Sequence, residues 1–267
     1  MQGEDIYVIY LYEELAKKIM TAKGKVKLSL DLNLTFKEYE VEELREELKD
    51  VLSKVRGKTV HVYDGKNLFK LAIYSDHYYA LVMEKGFPIL EIDGIRMHVF
   101  ANNPFEYAKK VVNNLNIKGK YILETCFGQG YITRLLKDVK KVITYEISKE
   151  VLDIAEWNPY SKSLFNAKNI EIREGDISAE ISKIREEFDI IVHDPPTIKV
   201  AENLYSLRFY KALYTVAKPK ALLYHYIGSP YKARNGNVKK RIIKRLEKAG
   251  WKLIKELDEI QGLLLKK

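Results

Sequence analysis

Cysteine is nearly absent from this chain of 267 residues. Cys126 is the single one, which excludes an intramolecular disulfide and any zinc site built on cysteines, and a reducing cytoplasm is the expected compartment. The five histidines lack the short spacing of metal-binding pairs such as His-x-x-x-His. We therefore expect no metal site.

Long apolar runs are also missing. No segment approaches the ~20 apolar residues that cross a bilayer, and the acidic first letters, Met-Gln-Gly-Glu-Asp, lack the basic and then apolar order of a secretory signal. Hydrophobic residues at 46% and charged residues at 31% are typical of a soluble globular protein. We expect a cytoplasmic protein without a membrane partner.

Acidic residues are scarce in one part of the chain. The formal net charge is +9, yet residues 1–100 carry 15 Lys/Arg against 17 Asp/Glu, whereas residues 101–267 carry 31 against 20. A basic surplus favours polyanionic partners such as RNA. A lysine-rich composition typical of heat-adapted proteins explains it equally well, and the sequence leaves both explanations open.

Residues 1–100 predict a small α+β domain that helps to bind a substrate. Apolar residues alternate over 26–41, which indicates one half-buried strand, and over 42–55 they recur on one helical face. Residues 6–20 fit a helix, or a strand followed by a helix. The Asp64-Gly65 pair predicts a hairpin turn. Further strands are expected at 59–63, 68–74, 78–83, 89–92 and 95–100.

Residues 101–267 predict a second domain, which begins near the Asn-Pro pair at 103–104. Strands and helices alternate there, which predicts an α/β fold with a largely parallel sheet. Helices are expected at 105–115, 130–137, 149–157, 179–187, 204–215 and 236–249. Strands are expected near residues 121, 142, 170, 190, 221 and 252, with a last one at 263–265.

Four of these strands end in polar residues. Glu124 precedes a turn with Gly128 and Gly130, and Glu146, Asp176 and Asp194 follow the next three runs. The carboxyl ends of parallel strands meet at the edge where open α/β sheets bind ligands. The sequence therefore predicts one site at this edge.

The glycine turn narrows the class of ligand. A phosphate-binding loop needs Lys-Ser/Thr after its last glycine, but Tyr131 and Ile132 follow Gly130, and a dinucleotide fingerprint needs a third glycine. S-adenosylmethionine needs no phosphate contact. Glycine lets the backbone approach a ligand closely, and a helix at 130–137 would offer free N–H groups.

Two of the acids have the spacing of residues that bind a nucleoside. Glu146 lies about 20 residues beyond the glycine turn, where an acid binds ribose hydroxyls; it could also be an exposed strand-end acid. Asp176 could accept a hydrogen bond from an adenine amino group, or belong to an ordinary Gly-Asp turn.

Asp194-Pro195-Pro196 is the sharpest motif. Each proline fixes its φ angle and pushes the preceding residue to an extended conformation, so Asp194 is held in one orientation. The Asp194 carboxylate and the Pro195 carbonyl can together grip an amino group, and we predict both to be catalytic. The alternative is a surface loop, although the apolar run 190–192 before the motif argues against it.

Residues 121–262 resemble the Rossmann-like S-adenosylmethionine-dependent methyltransferases in the glycine turn, the acids after strands two and three, and the Asp-Pro-Pro motif. More closely, the chain looks like a group of predicted archaeal methyltransferases with that motif. That likeness covers 92–98, 157–161, 193–196, 204–210 and 224–226. The resemblance implies a seven-stranded sheet with one antiparallel strand near its edge, helices on both faces, and methyl transfer.

The resemblance also implies how S-adenosylmethionine is held. Glu124 stands where the commoner acid is Asp, and Cys126 replaces a usual glycine. The implied cofactor ligands are the methionine-binding Glu124, Cys126, Gly128 and Gly130, the ribose-binding Glu146 with Ile147, and the adenine-binding Asp176 with Ile177.

The expected substrate is an exocyclic amino group of an RNA base. Thr197 stands where amino-methylating relatives place an aromatic ring, so Tyr205, Phe209 or Tyr210 would have to supply a stacking face; otherwise all three are core residues. Alternatives are methyl or aminopropyl transfer to a small amine, and a non-catalytic nucleotide- or RNA-binding protein. The predicted substrate-binding residues are Pro196, Thr197, Tyr205, Lys232 and Arg234.

Overall fold

A computed structural model describes residues 8–97, 103–228 and 237–267 of the chain. The chain divides into two compact units: Met1–Pro104 together with Glu156–Tyr160, and Phe105–Ala155 together with Ser161–Lys267. The boundary predicted between residues 100 and 101 lies outside the described residues. The sequence did not indicate that residues 156–160 belong to the first unit, where the Tyr10 hydroxyl donates to the Trp157 carbonyl at 2.6 Å.

The first unit consists of short antiparallel strands and helices. Its strands pair in the orders β1-β4-β5, β2-β3 and β6-β7-β8-β9. Their bounds are β1 Ile9–Leu11, β2 Lys25–Leu28, β3 Lys37–Glu40, β4 His61–Tyr63, β5 Leu68–Lys70, β6 Ala72–Tyr74, β7 Tyr78–Glu84, β8 Phe87–Ile92 and β9 Ile95–Arg96. The helices are α1 Glu13–Thr21, α2 Val41–Glu47 and α3 Lys49–Leu52.

Three predictions for this unit were wrong in detail. The strand expected at 68–74 is divided into β5 and β6, which belong to two different sheets. Residues 26–41 form the hairpin β2-β3 and not one strand, because Leu32 and Asn33 take left-handed φ angles of 59° and 70° and the Asp31 carboxylate accepts the Thr35 N–H at 2.8 Å. The helix expected at 42–55 breaks at Leu48 into α2 and α3. The hairpin at Asp64 is confirmed, since β4 pairs antiparallel with β5.

The second unit is an α/β layer structure. Its seven strands pair in the order β12-β11-β10-β13-β14-β16-β15. Their bounds are β10 Tyr121–Glu124, β11 Lys141–Glu146, β12 Ile170–Glu174, β13 Phe188–His193, β14 Ala217–Tyr226, β15 Lys252–Leu257 and β16 Gly262–Lys266. The helices are α4 Pro104–Asn113, α5 Lys149–Trp157, α6 Ile177–Glu180, α7 Leu207–Thr215 and α8 Asn237–Lys248. Single 3₁₀ turns occupy Thr133–Leu135, Lys162–Asn166, Ile181–Lys183, Glu202–Tyr205 and Asp258–Ile260.

The sheet topology confirms the predicted fold class. Strands β10 to β14 pair in parallel, and β16 pairs antiparallel with both β14 and β15. One antiparallel strand therefore lies next to the edge of a mostly parallel sheet, preceded in the chain by a small α+β unit.

Apolar side chains cover both faces of this sheet. Consecutive residues of a strand point to opposite faces, and the pairs Ile122/Leu123 and Ile190/Ile191 are buried on each. One face packs against α7 and α8, where the fully buried Trp251 donates its indole N–H to the Tyr210 carbonyl at 3.1 Å. Such continuous apolar strands are typical of parallel sheets covered on both sides.

The helix predicted at 130–137 is absent. The chain makes only one 3₁₀ turn there, with Leu135 N–H bonded to the Ile132 carbonyl at 2.8 Å and Leu136 N–H to the Thr133 carbonyl at 3.0 Å. Left-handed residues at Gly130 and Asp138, with φ of 65° and 58°, bound a segment too short for an α-helix. The helix N-terminus expected beside the glycine turn is therefore missing.

Gly262 provides a stability test, because a methyl group added there would lie 2.5 Å from Tyr224 Cε2 and 2.9 Å from its hydroxyl. Overpacking of this kind costs about 1–3 kcal/mol. We expect Gly262→Ala to lower the free energy of unfolding in urea by that amount. The exposed Lys252→Ala on the paired strand is the control and should stay within about 0.5 kcal/mol; equal effects would contradict this packing.

Candidate functional site

The acids predicted from the strand ends lie along the carboxyl edge of the parallel strands. Glu124 pairs with Thr144 on β11 and with Val192 on β13, and Glu146 ends the next strand along. Asp194 follows β13 directly. The chain adds β11 and β12 on one side of β10 and β13 on the other, so the order reverses between β10 and β13. Ligands bind at such switch points.

Glu124 is held inside the sheet edge at 1% exposure. Its Oε2 accepts hydrogen bonds from the hydroxyls of Thr133 and Thr144, the latter at 2.6 Å. Burial raises the pKa of Glu124 to about 7; the charges of Asp194 and Glu146 act in the same direction, and the two hydroxyls oppose it. Glu124 therefore changes charge near neutral pH.

Glu146 is fixed by the glycine turn. Its carboxylate accepts the Gly128 N–H at 2.9 Å and the Ser148 N–H at 3.1 Å. Burial raises the pKa of Glu146, although these backbone bonds lower it. The Ile147 N–H also acts on this carboxylate, and the lone pairs that remain on an oriented Glu146 can accept from ligand hydroxyls.

The two glycines of the turn differ in what they accommodate. A Cβ at Gly128 would meet no atom within 4 Å, so open space borders this backbone. At Gly130 a Cβ would lie 2.7 Å from the Phe127 ring and 2.8 Å from Leu164. Internal packing is therefore enough to require Gly130, whereas Gly128 borders space that a ligand can use.

The other residues predicted to bind the nucleoside lie beside β11 and β12. Asp176 is half-buried and caps α6, accepting the Ser178 N–H at 2.8 Å and its hydroxyl at 2.9 Å. Ile147 is 68% exposed, while Ile177 is buried at 3%. The position of Ile147 suits contact with a ligand, but the side chain of Ile177 belongs to the core.

Asp194 has a partner that sequence reasoning missed. The Tyr107 hydroxyl of α4 donates to Asp194 Oδ1 at 2.8 Å and lies 2.9 Å from the Tyr224 hydroxyl of β14. Burial and the charge of Asp194 raise the pKa of Tyr107 well above its ordinary value, so this hydroxyl keeps its proton. Tyr107 therefore orients the carboxylate.

The surroundings of Asp194 place its pKa near neutral pH. Burial raises the pKa of Asp194 to about 7, and the Tyr107 hydrogen bond limits the rise. The residue is only half-buried by exposed area, so a ligand can reach it. A carboxyl group of this kind can exchange a proton near pH 7.

The rest of the Asp-Pro-Pro loop divides between core and surface. Pro195 is buried, while Pro196 and Thr197 are exposed. Tyr205 is fully buried, and its hydroxyl donates to the Pro196 carbonyl at 2.9 Å. Tyr205 therefore stabilises the loop from the core.

The stacking face expected from the aromatic residues is not present. Tyr205 and Tyr210 are 0% exposed and Phe209 is 3% exposed, because all three pack into the core against β13 and β14. Their helical spacing indicated a core face, and that alternative is the correct one. Lys232 and Arg234 lie outside the described residues.

Cys126 lies within this group of acids. Burial raises the pKa of its thiol well above the ordinary value, and the charges of Glu146 and Asp194 add to the effect. The thiol is therefore protonated near neutral pH, which makes it a poor nucleophile. Its half-buried side chain can only border a ligand.

Two buried histidines lie behind the site. The rings of His193 and His225 are 4.4 Å apart. His193 Nε2–H donates to the Leu204 carbonyl at 3.0 Å, and its Nδ1 accepts from the Thr125 hydroxyl at 2.7 Å. Burial lowers the pKa of His193 to about 3, so it is a neutral structural residue.

The described residues show neither a metal cluster nor a membrane span. Within residues 8–97, 103–228 and 237–267, no three His, Cys, Asp or Glu side chains are arranged to hold a metal ion. In the same ranges, no helix combines the length and the apolar character needed to cross a bilayer.

The groups at this edge fit a cofactor that carries a positive charge and two neighbouring hydroxyls. The partly desolvated carboxyl groups of Glu124 and Asp194 would gain from a nearby cation. Glu146 offers the acceptors for a diol, and open space at Gly128 lets the ligand approach the backbone.

Structural comparison shows a fold shared with spermidine synthase. A crystal structure of spermidine synthase in complex with the transition state analogue AdoDATO matches with a TM-score of 0.60 and 18% identity, over 76% of each chain. At this level of identity the likeness shows the fold alone.

Two sequence relatives differ in how much they cover. The uncharacterized RNA methyltransferase CA_C1435 of Clostridium acetobutylicum is 30% identical over 113 residues, which is 40% of this chain and 24% of that protein. No protein-family model matches the chain. The uncharacterized protein MJ1233 of Methanocaldococcus jannaschii is 36% identical over 274 residues, covering 96% of this chain and 94% of the relative. The chain therefore belongs to the same protein family as MJ1233.

Proposed function

We propose that the chain is an S-adenosylmethionine-dependent methyltransferase that methylates an amino nitrogen, most specifically an exocyclic amino group of an RNA base. The observation that carries the proposal is the position of Asp194. It lies at the strand switch point, half-buried, oriented by Tyr107 and with a pKa of about 7, beside a group of acids suited to a cationic cofactor.

S-adenosylmethionine supplies an electrophilic methyl group on a positively charged sulfur. Glu146 would accept from the ribose hydroxyls, and Asp176, with Ile147, would border the adenine. Glu124, Cys126 and Gly128 would surround the methionine part. Gly130 would act indirectly, by allowing Phe127 and Leu164 to support the turn.

Asp194 would orient the acceptor amine and then take its proton. The carboxylate and the Pro195 carbonyl both accept hydrogen bonds, so together they can fix the two N–H groups of an amine. When the nitrogen gains a methyl group it must lose a proton, and a carboxylate with a pKa near 7 is matched to accept it. Transfer should therefore become faster as the pH rises through about 7.

Three observations support RNA as the substrate. Residues 101–267 carry the basic surplus of the chain. Pro196 and Thr197 are exposed beside Asp194, so a base that is part of a large RNA can approach Asp194. The partial relative from C. acetobutylicum is described as an RNA methyltransferase. Lys232 and Arg234 remain proposed phosphate contacts, and the first unit would help to hold the RNA.

A second candidate is transfer of a methyl or aminopropyl group to a small amine. The fold shared with spermidine synthase favours it, and so does the set of acids, since carboxylates attract cationic amines. In both candidates Asp194 has the same task, and only the acceptor differs.

Transfer of a radiolabelled methyl group to total RNA and to small-molecule extract tests the proposal. We expect label in RNA, and Asp194→Asn should reduce it by about 10²–10⁴-fold, the usual contribution of a general base. Asp153→Asn on α5, where the side chain is 42% exposed, is the matched control and should keep full activity. Label in small amines alone would select the second candidate.

A third outcome concerns catalysis itself. If the wild-type chain binds the cofactor or RNA but transfers no label, and Asp194→Asn binds them equally well, the chain is a non-catalytic binding protein. That result would contradict the proposal.

Tyr107→Phe should change the pH profile of transfer. Loss of its hydrogen bond removes an interaction that lowers the pKa of Asp194, so the rise of kcat/KM with pH should move to higher pH, with much of the activity restored at pH 9. Tyr121→Phe is the control, because Tyr121 begins β10 at the opposite end of the strand from Glu124. An unchanged profile in Tyr107→Phe would contradict the role of this tyrosine.

A further inference from the structure

One segment of the first unit is basic although the unit as a whole is not. Residues 53–70 contain the basic residues Lys54, Arg56, Lys58, Lys66 and Lys70 and a single acid, Asp64. Residues 1–100 carry 15 Lys/Arg against 17 Asp/Glu. Positive charge is therefore concentrated locally, which a uniformly lysine-rich composition does not explain.

This segment lines a cavity of about 540 Å³ beside α3, β4 and β5. Lys54, Lys66 and Lys70 contribute to its walls. Among the residues that the structure describes, no ion pair or hydrogen bond engages these three ammonium groups, whereas Lys17 and Lys58 are paired with Glu13 and Glu91. The three charges are available to a ligand.

Acids do little to neutralise the cavity. Asp50 is the one carboxylate among its lining residues. Asp64 lies outside the lining and is held in the β4-β5 turn, where Oδ1 accepts the N–H groups of Lys66 at 2.9 Å and Asn67 at 2.6 Å; its charge would offset only one of the three lysines. The cavity therefore carries a net positive charge, which selects an anionic ligand.

Aromatic rings and a neutral histidine complete the walls. The half-buried rings of Tyr63 and Phe69 line the cavity, and Phe69 packs edge-to-face on Trp157, which lies outside the lining, with ring centroids 5.1 Å apart. His61 Nδ1–H donates to the Thr59 carbonyl at 3.0 Å, and burial, with Lys70 nearby, lowers its pKa. His61 is therefore neutral and adds no positive charge to the cavity.

We propose that this cavity is a binding site for single-stranded RNA, in which Lys54, Lys66 and Lys70 contact backbone phosphates and a base packs against Phe69. Unpaired ammonium groups next to aromatic rings are the combination that binds unpaired nucleotides. The role of this RNA as methyl acceptor rests on the proposed function, but its binding does not.

Fluorescence anisotropy of a labelled single-stranded RNA 12-mer with the full chain tests the site. The double variant Lys66→Glu, Lys70→Glu should bind at least about tenfold more weakly. The slope of log K against log salt should fall in magnitude by about 1.4, since each lost phosphate contact in single strands accounts for about 0.7. Phe69→Leu should weaken binding by about 5- to 150-fold at unchanged slope, the range for one stacked base.

The double variant Lys18→Glu, Lys37→Glu is the matched control, because both lysines are exposed and the change in net charge is identical. It should retain wild-type affinity within about threefold. Equal weakening in the two double variants would overturn the site, as would inorganic phosphate binding as tightly as the 12-mer. Cofactor titration of the same variants separates the two proposals, because it should be unchanged whether or not the cavity binds RNA.

Discussion

Partial exclusion of water from three carboxyl groups at one sheet edge is the constraint on which the rest of the site depends. Glu124, Glu146 and Asp194 end neighbouring strands or follow them directly, and burial raises the pKa of each. Such groups destabilise a folded chain when they are all charged. A bound cation would relieve that cost, so the same arrangement that strains the free protein would favour a positively charged cofactor.

The scaffold keeps these carboxyl groups oriented despite the cost. Threonine hydroxyls hold Glu124, and backbone N–H groups of the glycine turn hold Glu146. Asp194 is oriented by Tyr107, which in turn lies against Tyr224 on β14. Gly262 leaves room for the Tyr224 ring, so packing at the antiparallel strand is connected to the proposed proton acceptor. Preorganisation of this kind keeps the reacting groups in place before a ligand arrives.

The parts of the site that follow strands could be predicted from the sequence. Apolar runs that end in Glu124, Glu146 and Asp194 predict both the parallel strands and the position of the site, because ligands bind at the carboxyl ends of the strands in this fold. The seven-stranded sheet with one antiparallel strand near its edge was implied only by the family resemblance, and the strand order was not predicted, since pairing between distant segments leaves no local pattern.

Contacts across long sequence separation were missed for the same reason. Tyr107 lies 87 residues before Asp194 on an amphipathic helix, where a tyrosine resembles any other core residue. The prediction of a helix after Gly130 was wrong, because the left-handed conformation of Asp138 cannot be predicted from its residue type. Tyr205 was ambiguous, since helical spacing does not distinguish a stacking ring from a buried one.

Isothermal titration of S-adenosylmethionine into the chain at pH 7, in two buffers that differ in ionisation enthalpy, tests the central claim most directly. A positive charge beside Glu124 and Asp194 lowers their raised pKa values, so binding should proceed with 1:1 stoichiometry and release protons to the buffer. The demethylated product, which lacks the sulfonium charge, should bind with less release. Binding of both ligands without any difference in proton release, or no heat from either, would contradict a site built on desolvated carboxyl groups.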